Sequence, residues 1–148
     1  MPGAYSSAYS SAYEVGFMTW VAIRTGAKTR LDTITGVSGH KTAAGKRTDS
    51  VEATVIALDP LIVPTGHANK VEVRFAVRVT VVKAKLEDSQ NALDAYIWPT
   101  GTDSIIAALR GDTTLSATVD DLQLVDVSAY EQLAESNSAR ADINFRAI

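Results

Sequence analysis

The clearest pattern in the chain is a strict alternation of apolar and polar residues between positions 71 and 81. The apolar positions are Val71, Val73, Phe75, Val77, Val79 and Val81. The positions between them are Glu72, Arg74, Ala76, Arg78 and Thr80. Because successive side chains of a strand point to opposite faces of a sheet, this period of two predicts one long strand with a buried face and a polar face.

Four other segments predict further strands, and the first two of them are rich in residues that favour strands. They are residues 51–58, 61–63, 119–127 and 141–147. Asp59-Pro60 is expected to break the first two apart, since proline has no N–H to donate to a sheet, and Pro64-Thr65-Gly66 is expected to close the second in a turn. In the last segment Ile143 and Phe145 alternate with polar residues, which again indicates one buried face.

Helical spacing predicts one longer helix near the start of the chain, within residues 17–34. The apolar residues there recur in steps of three and four, at Trp20, Ile23, Ala27, Leu31 and Ile34. These steps place them on one face of a helix, although Gly26 lowers its stability by about 1 kcal/mol relative to alanine. The glycine- and lysine-containing stretch that follows, up to Ser50, is expected to be a loop.

Two short helices are expected after Leu86, and they complete the predicted fold class. Pro99 stops the first, and Gly111 ends the second, in which Ile105, Ile106 and Leu109 point inward. The candidate N-caps are Asp88 or Ser89 for the first helix and Thr102 or Asp103 for the second. The order of helix, strands, two short helices and strands predicts an α+β fold, an antiparallel sheet with the helices on one face.

Composition bounds the size and class of the protein. The 148 residues suit one domain, which we place at residues 17–148, preceded by an N-terminal arm at 1–16. The absence of cysteine excludes disulfides, thiolate nucleophiles and zinc sites that contain cysteine. No apolar run approaches the roughly 20 residues that span a bilayer, and the net charge of -3 argues against binding nucleic acid by bulk charge.

The charge is unevenly distributed along the chain. Residues 1–85 carry 11 Lys and Arg against 6 Asp and Glu, a net charge of +5, whereas residues 86–148 carry 3 against 11, a net charge of -8. One interpretation is electrostatic complementarity, either within one subunit or between neighbouring subunits. The alternative is that strands and helices simply differ in composition.

The N-terminal arm contains a short repeat in which Tyr5, Tyr9 and Tyr13 recur every four residues among alanines and serines. A helix would keep these three tyrosines near one stripe. We therefore take them as candidate partner-binding residues of an arm that becomes ordered against a partner. The alternative is a disordered leader, as terminal segments often are.

Few residues suggest catalysis or metal binding. His40 and His67 stand in turn-like settings without a carboxylate at ligand spacing, and Asp120-Asp121 with Asp126 are better explained by a turn followed by a polar strand face. The sequence therefore predicts no catalytic residue, no cofactor, no metal and no enzymatic activity. It favours a protein that works by assembly.

Six segments after Leu58 carry a resemblance to a known family. They are residues 61–66 (LIVPTG), 88–94 (DSQNALD), 101–109 (GTDSIIAAL), 112–115 (DTTL), 119–122 (VDDL) and 143–145 (INF). In order and spacing they resemble the small tail-terminator (neck) proteins of long-tailed, siphovirus-type bacteriophages, particularly phages of actinobacteria. The resemblance covers about the last two-thirds of the chain.

The resemblance implies a virion structural protein whose subunits close into a homo-oligomeric, hexameric ring. Such a ring caps the tail tube, stops its polymerisation and joins the tail to the head–tail connector proteins, with DNA passing non-specifically through its lumen. It implies residence in the tail and neck of the virion, in the host cytoplasm during assembly, and no membrane partner. The alternatives are a head-completion or connector protein of the neck and, from another class, a small enzyme or ligand-binding subunit.

Overall fold

The computed structural model describes residues 18–34, 38–40, 50–66, 70–115 and 117–148, and these residues form a sheet with helices on one side. The helices are α1 (Trp20–Leu31), α2 (Leu86–Ile97) and α3 (Ile105–Arg110), with a 3-10 turn at Ala134–Ser136. The strands are β1 (Ser38–His40), β2 (Ser50–Pro64), β3 (Val71–Val82), β4 (Leu122–Leu133) and β5 (Ser138–Ala147). The predicted α+β class is confirmed.

The sheet has the order β1-β2-β3-β5-β4. Strands β2, β3, β5 and β4 pair antiparallel, as predicted, while the short β1 pairs parallel with β2. The prediction of an uninterrupted loop up to Ser50 is wrong at Ser38–His40. Three residues are too few to show a period of two, so this strand is recognisable only by its pairing with Glu52, Ala53 and Thr54.

The central strands β3 and β5 build the core. Their pairing is in register without a bulge, from Val73 opposite Ala147 to Val82 opposite Ser138. The odd-numbered side chains are buried from Val73 to Val81 and from Ala139 to Ala147, and the rings of Phe75 and Phe145 stack with their centroids 5.6 Å apart. The predicted long strand with a buried and a polar face is confirmed.

All three helices add their apolar residues to this same core. The helical contributors that are almost fully buried are Ile23, Ala27, Leu31, Leu93, Ile105, Ile106 and Leu109. The predicted apolar face of α1 is confirmed from Trp20 to Leu31, but the helix ends at Leu31, so Ile34 is buried beyond its end. The ring of Trp20 lies 6.1 Å from that of Phe75. The hydroxyl oxygen of Thr19 caps α1 by accepting a hydrogen bond from the N–H of Ala22 at 3.1 Å.

The predicted N-cap of α2 is wrong. The helix begins at Leu86 after an N-cap at Lys85 that makes no side-chain capping bond. Ser89 instead lies fully buried inside the helix, where its hydroxyl accepts a hydrogen bond from the N–H of Lys83 and donates to the carbonyl oxygen of Asn137. Ser89 therefore links α2 to the residue after β3 and to the turn before β5 instead of capping the helix. These contacts join segments that are distant in sequence, so the local sequence does not predict them.

The predicted N-cap of α3 is one or two residues too early. Ser104, not Thr102 or Asp103, accepts a hydrogen bond from the N–H of Ala107 at 3.0 Å. The hydroxyl of Ser104 also donates to the carbonyl oxygen of Trp98, which follows the end of α2. The predicted end of α3 at Gly111 is confirmed.

The outer strands differ from prediction in their continuity and extent. β2 runs through Asp59-Pro60, because its pairing with β3 shifts register between Ala57 and Ile62 and so accommodates the proline in an irregularity.

β4 begins at Leu122 rather than at residue 119 and continues to Leu133, with register shifts at Leu124/Asp126 and Ser128/Glu131. These shifts erase the alternation that would have revealed its full length. β5 begins three residues earlier than predicted, at Ser138.

Gly26 lets α1 approach the turn that follows α3. A Cβ atom added at Gly26 would lie 2.9 Å from the Cβ of Leu115, which is closer than real side chains approach. One turn further along α1, the Nε of Arg30 donates to the carbonyl oxygen of Ala108 at 2.8 Å. The glycine that weakens the helix as an isolated segment is therefore required by its packing.

We expect Gly26→Ala to lower the free energy of unfolding by about 1 kcal/mol, measured by urea denaturation. Alanine improves helix propensity by about 1 kcal/mol, but overpacking a tight contact costs about 1–3 kcal/mol. Thr25→Ala, at the exposed neighbouring position, is the control and should be neutral or slightly stabilising. Equal stabilisation by both alanines would contradict the close packing of α1 on Leu115.

Candidate interaction surface

The face of the sheet opposite the core carries ordered rows of polar side chains, and no described helix covers it. We call it the polar face. The three rows nearest the Arg146 end of the central strands are Arg74 opposite Arg146, Ala76 opposite Asn144, and Arg78 opposite Asp142, and Thr80 opposite Arg140 continues the face beyond them. Same-face residues of a strand lie about 6.8 Å apart, so the three rows span about 14 Å along the strands.

Arg78 and Asp142 form a partly buried ion pair with two hydrogen bonds. The Nε of Arg78 donates to Oδ1 of Asp142 at 2.9 Å and the Nη2 donates to Oδ2 at 3.1 Å. The carboxylate side chain is 11% exposed and the guanidinium side chain 41%. The hydrogen bonding to Asp142 raises the pKa of Arg78 above its ordinary value, and the arginine stays charged.

The row formed by Arg74 and Arg146 places two guanidinium groups on opposite strands, and Glu72 compensates them. The Nε of Arg74 lies 2.6 Å from one carboxylate oxygen of Glu72, and Nη1 of Arg146 lies 4.0 Å from the other. Arg146 also donates through Nε to the side-chain oxygen of Gln123 at 2.6 Å. One carboxylate between two arginines leaves this row with a net positive charge.

A shallow groove of about 520 Å³ crosses the polar face. Leu58 and Asp59 line it from the irregular part of β2, and Val125 and Asp126 line it from the first irregularity of β4. The remaining lining residues are Glu72, Arg74, Ser128, Asp142, Asn144, Phe145 and Arg146. Four adjacent strands measure about 14 Å across, which is wide enough for an α-helix of about 10–12 Å diameter.

The outer strand β4 exposes large side chains. Val125 is 54% exposed, Val127 38% and Tyr130 42%. Among the described residues β4 pairs with β5 alone, so its outer backbone groups face away from the sheet. The hydroxyl of Tyr130 donates to Oδ1 of Asp94 on α2 at 2.8 Å, and burial together with this bond raises the pKa of Tyr130.

The structure separates the carboxylates that sequence reasoning considered. Asp120 contacts Nζ of Lys70 at 3.0 Å, Asp121 accepts from Gln123, and Asp126 accepts from Asn144. His40 lies in β1, while His67 falls outside the described residues, as do the candidate partner-binding residues Tyr5, Tyr9 and Tyr13. Within the described ranges, no cluster of three His, Cys, Asp or Glu side chains could hold a metal ion.

Sequence reasoning missed the arginine rows. Arg74 and Arg78 stood out as polar positions of β3, but only the register with β5 reveals that one faces an arginine and the other an aspartate. The structure also bears on the uneven charge, because Arg78–Asp142 and Lys70–Asp120 join the basic first part to the acidic second part within one subunit.

No protein-family model matches the chain, and no curated protein matches it. Among the described residues, no helix is both long enough and apolar enough to cross a membrane.

Double-mutant cycles should distinguish the partly buried ion pair from an exposed one. Replacing Arg78 and Asp142 by alanine, singly and together, should give a coupling free energy of about 1–2 kcal/mol, because the bonds are charge-assisted and Asp142 is shielded. The control cycle at Lys70 and Asp120, whose side chains are 59% and 64% exposed, should give less than about 0.5 kcal/mol. Urea denaturation of the wild type and the six variants provides the measurement, and equal coupling in both cycles would contradict the assigned burial.

Proposed function

We propose that this chain is a virion structural protein of a long-tailed bacteriophage that caps the tail tube, stops its polymerisation and joins the tail to the head–tail connector. In this proposal six copies form a ring, the ring contacts the tail tube protein and the connector proteins, and DNA passes through its lumen. The protein acts in the virion neck and is assembled in the host cytoplasm.

The observation that carries the proposal is a fold that presents two adjoining surfaces suited to other protein chains. The polar face offers a broad groove with fixed charged rows, and the neighbouring strand β4 exposes Val125, Val127 and Tyr130 beside outward-facing backbone groups. Exposed apolar side chains clustered on an edge strand favour association with another chain. Within the described ranges, the helices lie on one face of the sheet and leave these surfaces uncovered.

The resemblance to tail-terminator proteins supplies the identity of the partners, and its segments fall in one unit. Residues 61–66 end β2, residues 88–94 belong to α2 and residues 101–109 lead into α3. Residues 119–122 and 143–145 lie at the start of β4 and within β5. The similar segments therefore belong to the sheet that bears the proposed contact surfaces and to the helices that support it.

The proposal predicts that the purified chain ends the growth of tail tubes. Added to elongating tail tube protein, it should be seen by electron microscopy as a ring on one end of each tube, and the mean tube length should fall as its concentration rises. Val125→Asp should abolish ring formation, because it places a charge on the exposed edge. Val21→Asp makes the same change at an exposed position of α1, 60% exposed, and should leave rings intact.

Two results would contradict the proposal. If the tubes reach the same mean length with and without the chain, and the chain remains monomeric, the chain is not a tail terminator. Binding to the head–tail connector without any binding to tubes would instead support the head-completion alternative.

A further inference from the structure

The rows of the polar face match the spacing of the tyrosine repeat. Tyr5, Tyr9 and Tyr13 on a helix would be about 6 Å apart, since four residues rise 1.5 Å each. The three rows of the groove region are about 6.8 Å apart along β3 and β5. Three tyrosines on one helical stripe can therefore meet three consecutive rows.

The middle row has the shortest side chains. Ala76 ends at a methyl group that its neighbours cover, whereas Asn144 lines the groove and donates hydrogen bonds to Asp126 and Ser128. The rows on either side contain the long guanidinium groups of Arg74, Arg146 and Arg78. Arginine planes stack favourably on aromatic rings, so the outer rows suit tyrosine as well.

We propose that the groove of the polar face binds the N-terminal arm of a second copy of this chain as a helix, with Tyr5, Tyr9 and Tyr13 directed onto the three rows. The inference deepens the proposed function, because it names a contact that joins subunits, and it rests on that function only in assuming that copies associate. The walls at Leu58 and Val125 would contact the rings, and the carboxylates of Asp59 and Asp126 would accept from tyrosine hydroxyls.

Charge sets the direction of the bound helix. Glu14 is the only charged side chain of residues 1–17, and it directly follows Tyr13. The row of Arg74 and Arg146 is net positive, and the C-terminal end of a helix also favours cations. Tyr13 and Glu14 should therefore lie at that row, Tyr9 at the middle row and Tyr5 at Arg78.

The length of the chain assigns the arm to another copy. Trp20 packs beside Phe75 on the helix-covered side of the sheet, so the arm joins α1 on the side opposite the groove. With Glu14 at the groove, residues 15–19 link it to α1 at Trp20, and they span at most about 18 Å when extended. A helix packed on each side of a sheet puts the two axes about 20 Å apart, and a path around the sheet edge is longer still. When each subunit gives one arm and receives one, the contact is heterologous and can close a ring.

Disulfide trapping tests this contact directly, because the natural chain has no cysteine. Full-length Tyr9→Cys is mixed with full-length Asn144→Cys under assembly conditions and oxidised. The middle tyrosine meets the middle row in either helix direction, so an intermolecular disulfide should form at least about tenfold faster than with the control Thr25→Cys. Ser128→Cys, on the groove wall, replaces Asn144→Cys if that variant fails to fold.

A charge exchange tests the direction of the helix. Arg146→Glu and Glu14→Arg should each raise the concentration at half-assembly in sedimentation velocity by at least about threefold, and the chain carrying both should return to the wild-type value. Lys70→Glu, the same change outside the groove, is the control.

Each outcome decides between the two proposals. No trapping above the control in assemblies that cap tubes normally would overturn the arm contact and leave the proposed function standing. A chain that carries both Tyr9→Cys and Asn144→Cys should form disulfides between copies. A disulfide formed only within one chain would overturn the arm contact, since the arm would then occupy its own groove. Trapping between copies that fail to cap tubes would support the arm contact and overturn the tail-terminator function.

Discussion

The stacking of Phe75 on Phe145 is the contact on which the rest of the structure depends. The two rings face each other in the register of β3 and β5, and the ring of Trp20 packs beside that of Phe75 from α1. A shift of one residue in this register would turn every apolar side chain of one strand to the other face. The buried pair therefore decides which side of the sheet holds the helices and which side holds the arginines.

The polar face is stable because its charges are compensated locally. Asp142 faces Arg78, Glu72 lies between Arg74 and Arg146, and Glu131 accepts from Arg140 at 3.0 Å. Each pair is at least partly screened by water and contributes modestly to stability. Their value lies in holding long side chains in fixed positions, which reduces the entropy lost when another chain binds. A preorganised face is suited to recognition.

The sequence predicted those parts of the fold that local periodicity controls. The long strand β3, the apolar face of α1 and the end of α3 at Gly111 follow from spacing and capping within a few residues. The caps at Lys85 and Ser104, the short β1 and the continuation of β2 through Pro60 depend on contacts between distant segments. The arginine rows of the candidate site were unpredictable for the same reason, since charge pairing across strands requires the register.

The buried hydroxyl of Ser89 has a consequence for how the molecule opens. It accepts from the amide of Lys83, which follows β3, and donates to the carbonyl oxygen of Asn137 in the turn between β4 and β5, 48 residues further along the chain than Ser89. Asn137 in turn donates through its side chain to the carbonyl oxygen of Ala84. Helix α2 cannot separate from the sheet without leaving these buried groups unpaired. The helix, the end of β3 and the β4–β5 hairpin therefore form one cooperative unit, and exchange of the Lys83 amide with solvent reports the opening of all three.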